Sequence, residues 1–366
     1  MKLSQFNFDL SKNLIAQRPV KPRDHSRLLV LKRGSGKIEH KYFYNLVDYL
    51  KSGDILVLNN SRVFPARLIG QRKETGGKIE VFLHKEKKGG GRWECLIGSG
   101  RKKAGLLVVF AGGLEGRLVA DNFDGTWTVE FNKSGQEMMK IVNRIGLVPL
   151  PPYIKRLGGR QLASDKGSYQ TIYADNKKIG SVAAPTAGLH FTKKLVKKLK
   201  KRGINIVYVT LHVGLGTFAS LKQEDIKKHK MHSEWVEVKK GVIEKIVKAK
   251  RQKQRIVAVG TTSVRTLESI FLNYNYKLSS QENSGQKEGG KKGVKHDFKG
   301  WVNIFIYPGF KFKIVDAVIT NFHLPKSTLF ILASAFAGKK IIDKAYRSAI
   351  KMKYRFYSYG DAMLII

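Results

Sequence analysis

Three histidines, His190, His212 and His323, each follow a short apolar run and sit beside polar, glycine- or proline-bearing residues. Histidine titrates near neutrality, so residues so placed suit proton transfer in either direction. Two further stretches resemble them. Gly260-Thr261-Thr262-Ser263 offers hydroxyls with Arg265 one turn later, and Asn59-Asn60-Ser61-Arg62 offers amides and a cation. Singly, each has an ordinary explanation: a strand-end histidine is more often structural than catalytic, glycines make turns, and Gly-Thr-Thr-Ser can be only a helix cap. Together, if the strand ends lie side by side, they form a pocket with acid–base groups and a guanidinium. His190, His212 and His323 are therefore the expected catalytic residues.

Other chemistries are disfavoured. His229, His232 and Glu234 are ligand types, but their surroundings are rich in lysine, and no metal is expected. No Gly-x-Gly-x-x-Gly opens a βαβ unit, Gly214-Leu215-Gly216 comes too late in its pattern to substitute, and there is no Walker A lysine loop. The single cysteine, Cys95, excludes internal disulfides and cysteine-cluster metal sites.

The elements that must position these residues follow from periodicity. Short β-type runs (Lys78–His84, Arg92–Ile97, Leu106–Phe110, Gly116–Ala120 and Thr126–Phe131), separated by Gly, Asp and Asn, predict a small antiparallel barrel or sandwich, with a glycine–lysine hairpin tip at Lys85–Gly91. Elsewhere strands and helices alternate. Strands are expected at Ile55–Leu58, Ser181–Ala184, Ile204–Val213, Arg255–Val259 and Lys313–Thr320. Helices are expected after Thr192, over Gly241–Gln254, Ser263–Phe271 and Lys326–Ala337. This is an α/β pattern with the small β unit inserted near its start, and α/β folds place sites at strand C-termini. Leu278–Lys295, rich in Ser, Gly, Lys and Gln, reads as a surface loop.

The chain has 366 residues, a formal net charge of +41 and a pI near 10.2. That excess suits a polyanionic partner. Lysine outnumbers arginine 50 to 19, however, so a general lysine bias accounts for the charge equally well. The first residues lack a signal-peptide core, and the most apolar window, Leu329–Gly338, is too short to span a membrane. A cytoplasmic protein without membrane contact is expected.

Read in order, the polar loops resemble one family, the S-adenosylmethionine:tRNA ribosyltransferase-isomerases of queuosine biosynthesis. The likeness covers nearly the whole chain. It runs from Arg23-Asp24-His25-Ser26-Arg27 through Gly53–Val63, Pro149–Ile154, Tyr169–Ala174, Gly180–Thr192, Met231-His232-Ser233-Glu234-Trp235, Gly260–Ser269 and Thr320–Thr328 to Tyr354–Met363. Departures are Leu215, Ala219-Ser220, Val236, Asn303 in place of an expected Asp, and a longer loop at Leu278–Lys295.

The resemblance implies a large α/β barrel-like domain, residues 1–66 plus 150–366, with an inserted small antiparallel β-barrel domain, residues 67–149. It implies that S-adenosylmethionine is a co-substrate and not a cofactor. Its ribosyl part passes to the aminomethyl group of a 7-deazaguanine wobble base, giving epoxyqueuosine, adenine and methionine. The sulfonium acidifies the ribose C5′ hydrogens, so a base is needed, and departing adenine needs an acid; the three histidines are the candidates for both. Tyr153, Trp235 or Glu234 would face the sulfonium. Arg265 would hold a carboxylate or phosphate, and Thr186, Gly188, Thr261, Thr262, Ser263 and Asn321 complete the expected S-adenosylmethionine set. Arg23, Arg27, Asn60 and Arg62 are expected at the anticodon loop of tRNA, with ion pairs such as Arg23 to Asp24 as the structural alternative. A monomer is the expected form. Two competing classes are a non-catalytic RNA-binding protein, which leaves the histidines idle, and an S-adenosylmethionine methyltransferase, which lacks its glycine-rich loop here.

Overall fold

The computed structural model describes residues 1–87, 89–98, 100–156, 161–214, 221, 223–273 and 296–366. The loop expected at Leu278–Lys295 and the departures at Leu215 and Ala219-Ser220 lie outside them. The strands, in chain order, are β1 (Arg27–Lys32), β2 (Lys37–Tyr42), β3 (Ile55–Asn59), β4 (Arg62–Val63), β5 (Arg67–Arg72), β6 (Lys78–Glu86), β7 (Arg92–Gly98), β8 (Leu107–Val109), β9 (Glu115–Asp121), β10 (Trp127–Phe131), β11 (Ile179–Ser181), β12 (Asn205–Leu211), β13 (Glu234–Val238), β14 (Ile256–Val259), β15 (Phe298–Val302), β16 (Ala317–Asn321) and β17 (Ala362–Ile365). The helices are α1 (Gly135–Ile145), α2 (Asp165–Ser168), α3 (Lys193–Lys201), α4 (Lys240–Arg251), α5 (Gly260–Asn273), α6 (Thr328–Ala337) and α7 (Lys339–Lys351).

Nine strands form one mixed sheet in the order β15-β13-β12-β3-β14-β16-β17-β1-β2. The four strands β12, β3, β14 and β16 are mutually parallel. Runs such as Ile55-Leu56-Val57-Leu58 and Ile256-Val257-Ala258-Val259 are buried throughout, as expected where a parallel sheet is covered on both faces. One face packs under α4 to α7, and the other under α3 and the 3-10 turn at Phe43–Asp48. Each fully buried aliphatic side chain contributes about 1.5–3 kcal/mol. The large domain is thus α/β as expected, and its strands make a long sheet in which β15 and β2 are the ends of the series.

The closed barrel is the small one: β10-β7-β6-β5-β8-β9. Alternation along β6 sends Ile79, Val81 and Leu83 inward, and along β7 Trp93, Cys95 and Ile97. Helix α1 adds Met138 and Val142 to this core.

Element boundaries shift where polar groups compete with the ladder. The expected strand Lys313–Thr320 begins only at Ala317, because the buried Glu268 carboxylate accepts the amides of Lys313, Ile314 and Val315 at 2.9, 3.1 and 3.0 Å. The expected strand Ser181–Ala184 is observed earlier, as Ile179–Ser181 paired with β4, and beyond it the Val182 amide donates to the Val213 carbonyl. Helix α5 starts at Gly260 and not Ser263. The φ of +84° at Gly260, easy only for glycine, turns β14 directly into the helix.

Candidate functional site

The parallel run β12-β3-β14-β16 places its carboxyl ends along one edge of the sheet. Buried polar groups hold that edge. Asn59 Oδ1 accepts the amides of Ser61 and Leu211, and its Nδ2 donates to the Leu211 carbonyl. Ser181 Oγ donates to Ser61 Oγ and accepts the amide of Val213. These bonds tie β3, β11 and β12 together just below the loops that carry the expected site.

At this edge a cavity forms between Tyr153, Thr186, Thr261, Thr262, Asn321 and His323, closed by Tyr357 and Ser358. His323 Nε2 lies 2.7 Å from Thr320 Oγ1, and its amide donates to Tyr346 Oη. His190 stands behind the wall. Its Nδ1 bonds Ser26 Oγ at 2.7 Å, its Nε2 meets Asn321 Nδ2 at 3.1 Å, and its ring stacks on Phe43. With the Asn321 amide as donor, Nε2 accepts and Nδ1–H donates to Ser26. Burial lowers the pKa of His190 to about 4 and of His323 to about 3, so both are neutral at neutral pH. Asn321 Nδ2 also reaches the Tyr357 carbonyl at 3.1 Å, while Asn321 Oδ1 and Thr262 Oγ1 are buried without a partner. Buried polar atoms are almost always satisfied, so unpaired ones lining a cavity are poised for a ligand. Tyr357 sits at φ +72°, a strained backbone for a bulky residue, at the rim of the cavity.

Glu234 and Arg265 lie next to the cavity as a buried ion pair, sharing Leu329 as common wall. Glu234 also accepts the Gly214 amide at 3.1 Å, and Arg265 Nε donates to the Ile304 carbonyl. Arg265 Nη2 is buried without a partner. Glu234 is thus committed to Arg265, while the guanidinium keeps one free edge. Of the possible metal set, His229 packs edge-on to Phe305, and no group of three His, Cys, Asp or Glu among the described residues could hold a metal ion.

His212 does not join the other two histidines. It faces a cleft of about 800 Å³ between the barrel and the β13–β15 edge of the sheet, together with His84, Trp93, Trp235 and Trp301. Gly180 makes room for it, since a Cβ there would lie 2.8 Å from His212 Nδ1. Burial lowers the pKa of His212.

Several expected contacts are spent on the fold. Ser263 Oγ, in α5, donates to the Val259 carbonyl at the end of β14. Gly188 leaves room for Tyr173, whose hydroxyl a Cβ would approach to 1.9 Å. Arg23 donates to the carbonyls of Gly167 and Gln170 at 2.6 and 2.7 Å, at the end of α2. Arg27 donates to the carbonyls of Met352 and Lys353 at the end of α7 and bonds Asp361. Asp24 pairs not with Arg23 but with the Thr192 hydroxyl, 2.6 Å away, and Thr192 also caps α3. Asn60 Oδ1 accepts from Thr210. The Arg62 side chain has no bond to a described residue and is half-buried. Sequence reasoning missed Asn59, Ser61 and Asp361 as braces, and His84, Trp93 and Trp301 in the cleft. For the braces, the signal was a short polar run closing a fully apolar strand.

The profile of the queuosine biosynthesis protein family matches residues 3–365. Over its whole length the chain is 47% identical to an S-adenosylmethionine:tRNA ribosyltransferase-isomerase of Halothermothrix orenii and 48% identical to one of Acetivibrio thermocellus, each also covered completely. A crystal structure of an S-adenosylmethionine tRNA ribosyltransferase from Thermotoga maritima is similar with a TM-score of 0.54 and 36% identity, over 99% of this chain and 100% of that one. The chain belongs to the queuosine biosynthesis protein family.

Proposed function

We propose that this chain is an S-adenosylmethionine:tRNA ribosyltransferase-isomerase. It moves the ribosyl part of S-adenosylmethionine onto the aminomethyl group of a 7-deazaguanine wobble base in tRNA and rearranges it, giving epoxyqueuosine, adenine and methionine. One observation carries this reading. In a chain 47–48% identical to such enzymes from end to end, the loops bearing Thr186, Thr262, Asn321, His323 and Tyr357 converge on one cavity with unpaired polar atoms in its wall.

His323 is the proposed base. It is the histidine that lines the cavity, where the C5′ proton that the adjacent sulfonium acidifies has to be taken up. His190 is a positioning residue: through the chain Ser26–His190–Asn321 it holds the Asn321 amide with Oδ1 toward the ligand. Thr261, Thr262 and Thr186 meet ribose hydroxyls, and the rings of Tyr153 and Tyr357 face the sulfonium. Arg265 Nη2 takes the methionine carboxylate, with Glu234 holding the guanidinium in place. His212 serves the tRNA side, in the cleft. Arg62 is the remaining arginine of the expected tRNA set without another bond. The catalytic domain comprises residues 1–66 and 150–366, the barrel domain residues 67–149, and the enzyme acts as a cytoplasmic monomer. No described helix is long and apolar enough to cross a membrane.

The test is incubation with S-adenosylmethionine and tRNA bearing the aminomethyl-deazaguanine base, reading small molecules and the nucleoside mass. Adenine, methionine and an epoxyqueuosine mass are expected. S-adenosylhomocysteine would make the protein a methyltransferase, and tRNA binding without any product would make it a binding protein.

A further inference from the structure

The protein has four tryptophans, and three of them, Trp93, Trp235 and Trp301, line the cleft between the barrel and the sheet edge; Trp127 is buried in the barrel wall. Trp235 and Trp301 are direct cross-strand partners on β13 and β15, with ring centroids 5.5 Å apart and the rings edge to face at 68°. Trp301 is 52% exposed at the mouth of the cleft, leaving ring surface open to a ligand. Lys85, from the end of β6 in the barrel, places its ammonium 4.4 Å from the Trp301 ring, so the barrel and the sheet edge both border the exposed indole.

The polar groups of the cleft are equally particular. Trp93 Nε1, His84 Nδ1 and His212 Nδ1 are buried and have no hydrogen-bond partner. In a chain of net charge +41, the cleft also holds Glu86 and Glu94, neither paired with Lys or Arg among the described residues. The one ion-pair contact of Glu94 is with His84, 3.9 Å from Nδ1 to Oε2. A cleft of about 800 Å³ suits a nucleoside-sized ligand. Flat rings suit the π-face of a base, unpaired ring nitrogens suit its polar edge, and unpaired carboxylates suit a cationic substituent.

We infer that this cleft receives the flipped-out 7-deazaguanine base of the tRNA, stacked on the exposed Trp301 ring, with its aminomethyl nitrogen held by Glu94 and His84, which take up the ammonium proton that must leave before the amine attacks. The inference deepens the proposed reaction and rests on it for the identity of the base. It makes Glu94 and His84 specificity-determining residues. The adenosine of S-adenosylmethionine is the competing occupant of the same aromatic chemistry.

Intrinsic tryptophan fluorescence reads the cleft directly. The full-length protein is titrated separately with S-adenosylmethionine, with an anticodon stem-loop RNA carrying aminomethyl-deazaguanine, and with the same RNA carrying guanine. The modified stem-loop should quench, and S-adenosylmethionine should not. Trp301→Ala, at an exposed edge position, should weaken binding of the modified stem-loop about tenfold, the typical loss of one base–aromatic stack. Glu94→Gln should erase the preference for the modified over the guanine stem-loop, about tenfold for a lost charge-assisted bond. Quenching by S-adenosylmethionine that Trp301→Ala abolishes would overturn the inference, as would equal binding of both RNAs by the unaltered protein. Adenine release is read on the same preparation. An active protein with silent tryptophans sinks the base site alone. An inactive protein that still quenches and still prefers the modified RNA sinks the reaction alone.

Discussion

The strand-end cavity and the barrel-side cleft use the same residue types in opposite ways. In the cavity, histidines are buried, neutral and bonded: His190 between Ser26 and Asn321, His323 against Thr320. In the cleft, His84 and His212 keep ring nitrogens without partners, beside the buried Trp93 and the more exposed Trp235 and Trp301. A bonded neutral histidine fixes the geometry and proton state of its neighbours, as bond-making chemistry requires. An unbonded one in an open aromatic cleft is fit to recognise a large ligand. The contrast teaches that one enzyme can divide its histidines between chemistry and recognition, and that residue type alone does not tell which.

The contrast can be broken most sharply at Asn321. Asn321→Ala removes the unpaired Oδ1 and leaves His190 Nε2 without its donor; kcat for adenine release should fall about 10²–10³-fold, while stem-loop affinity should be unchanged. Weakened RNA binding would mean that the two regions are not separate. Next is Arg265→Ala, which leaves Glu234 as an unpaired buried charge; denaturant unfolding should show a loss of about 3–5 kcal/mol, and Glu234→Gln in the same background should recover part of it. An unchanged midpoint would place that pair in solvent.

Acid stability sharpens the point further. Burial holds His190 near 4 and His323 near 3, below the ordinary histidine value of about 6.5. Below pH 6.5 the unfolded chain takes up protons that the folded chain refuses. Stability from these sites is therefore full above about pH 7 and falls as pH drops from 6.5 toward 4, by about 1.4 kcal/mol per pH unit for each histidine. His323→Asn should remove about one histidine's share of that slope in unfolding titrations; an unaltered slope would show that His323 is solvated. The smallest effect concerns Arg27, which binds the last carbonyls of α7. Arg27→Lys should cost about 1 kcal/mol of stability and leave the salt dependence of tRNA binding unchanged, whereas a lower salt slope would return Arg27 to the phosphate contacts.

Much of this was legible in the sequence for a physical reason. Parallel strands buried on both faces must be continuous apolar runs, so Ile55–Leu58 and Arg255–Val259 announced themselves and, with them, the loops at their carboxyl ends. The barrel was legible from alternation broken by Gly, Asp and Asn. What was not legible is pairing between distant residues. Glu268 cuts short the strand expected at Lys313, and Asp361 joins Arg27 to Arg355 across most of the chain; no local pattern carries such contacts. Arg23 and Arg27 look like phosphate ligands in a chain this basic, yet both are used on helix-end carbonyls. The separation of His212 from His190 and His323 was invisible because all three share the same local signature. Only the barrel, bordering the cleft at the β13–β15 end of the sheet, makes one of those strand ends a different kind of place.

The division of labour itself is tested most directly by steady-state kinetics of His323→Ala and Trp301→Ala, varying tRNA at saturating S-adenosylmethionine. His323→Ala should lower kcat at an unchanged KM for tRNA, and Trp301→Ala should raise that KM about tenfold at an unchanged kcat. If both variants move the same parameter, cavity and cleft are one site, and the assignment of chemistry to one and recognition to the other is wrong.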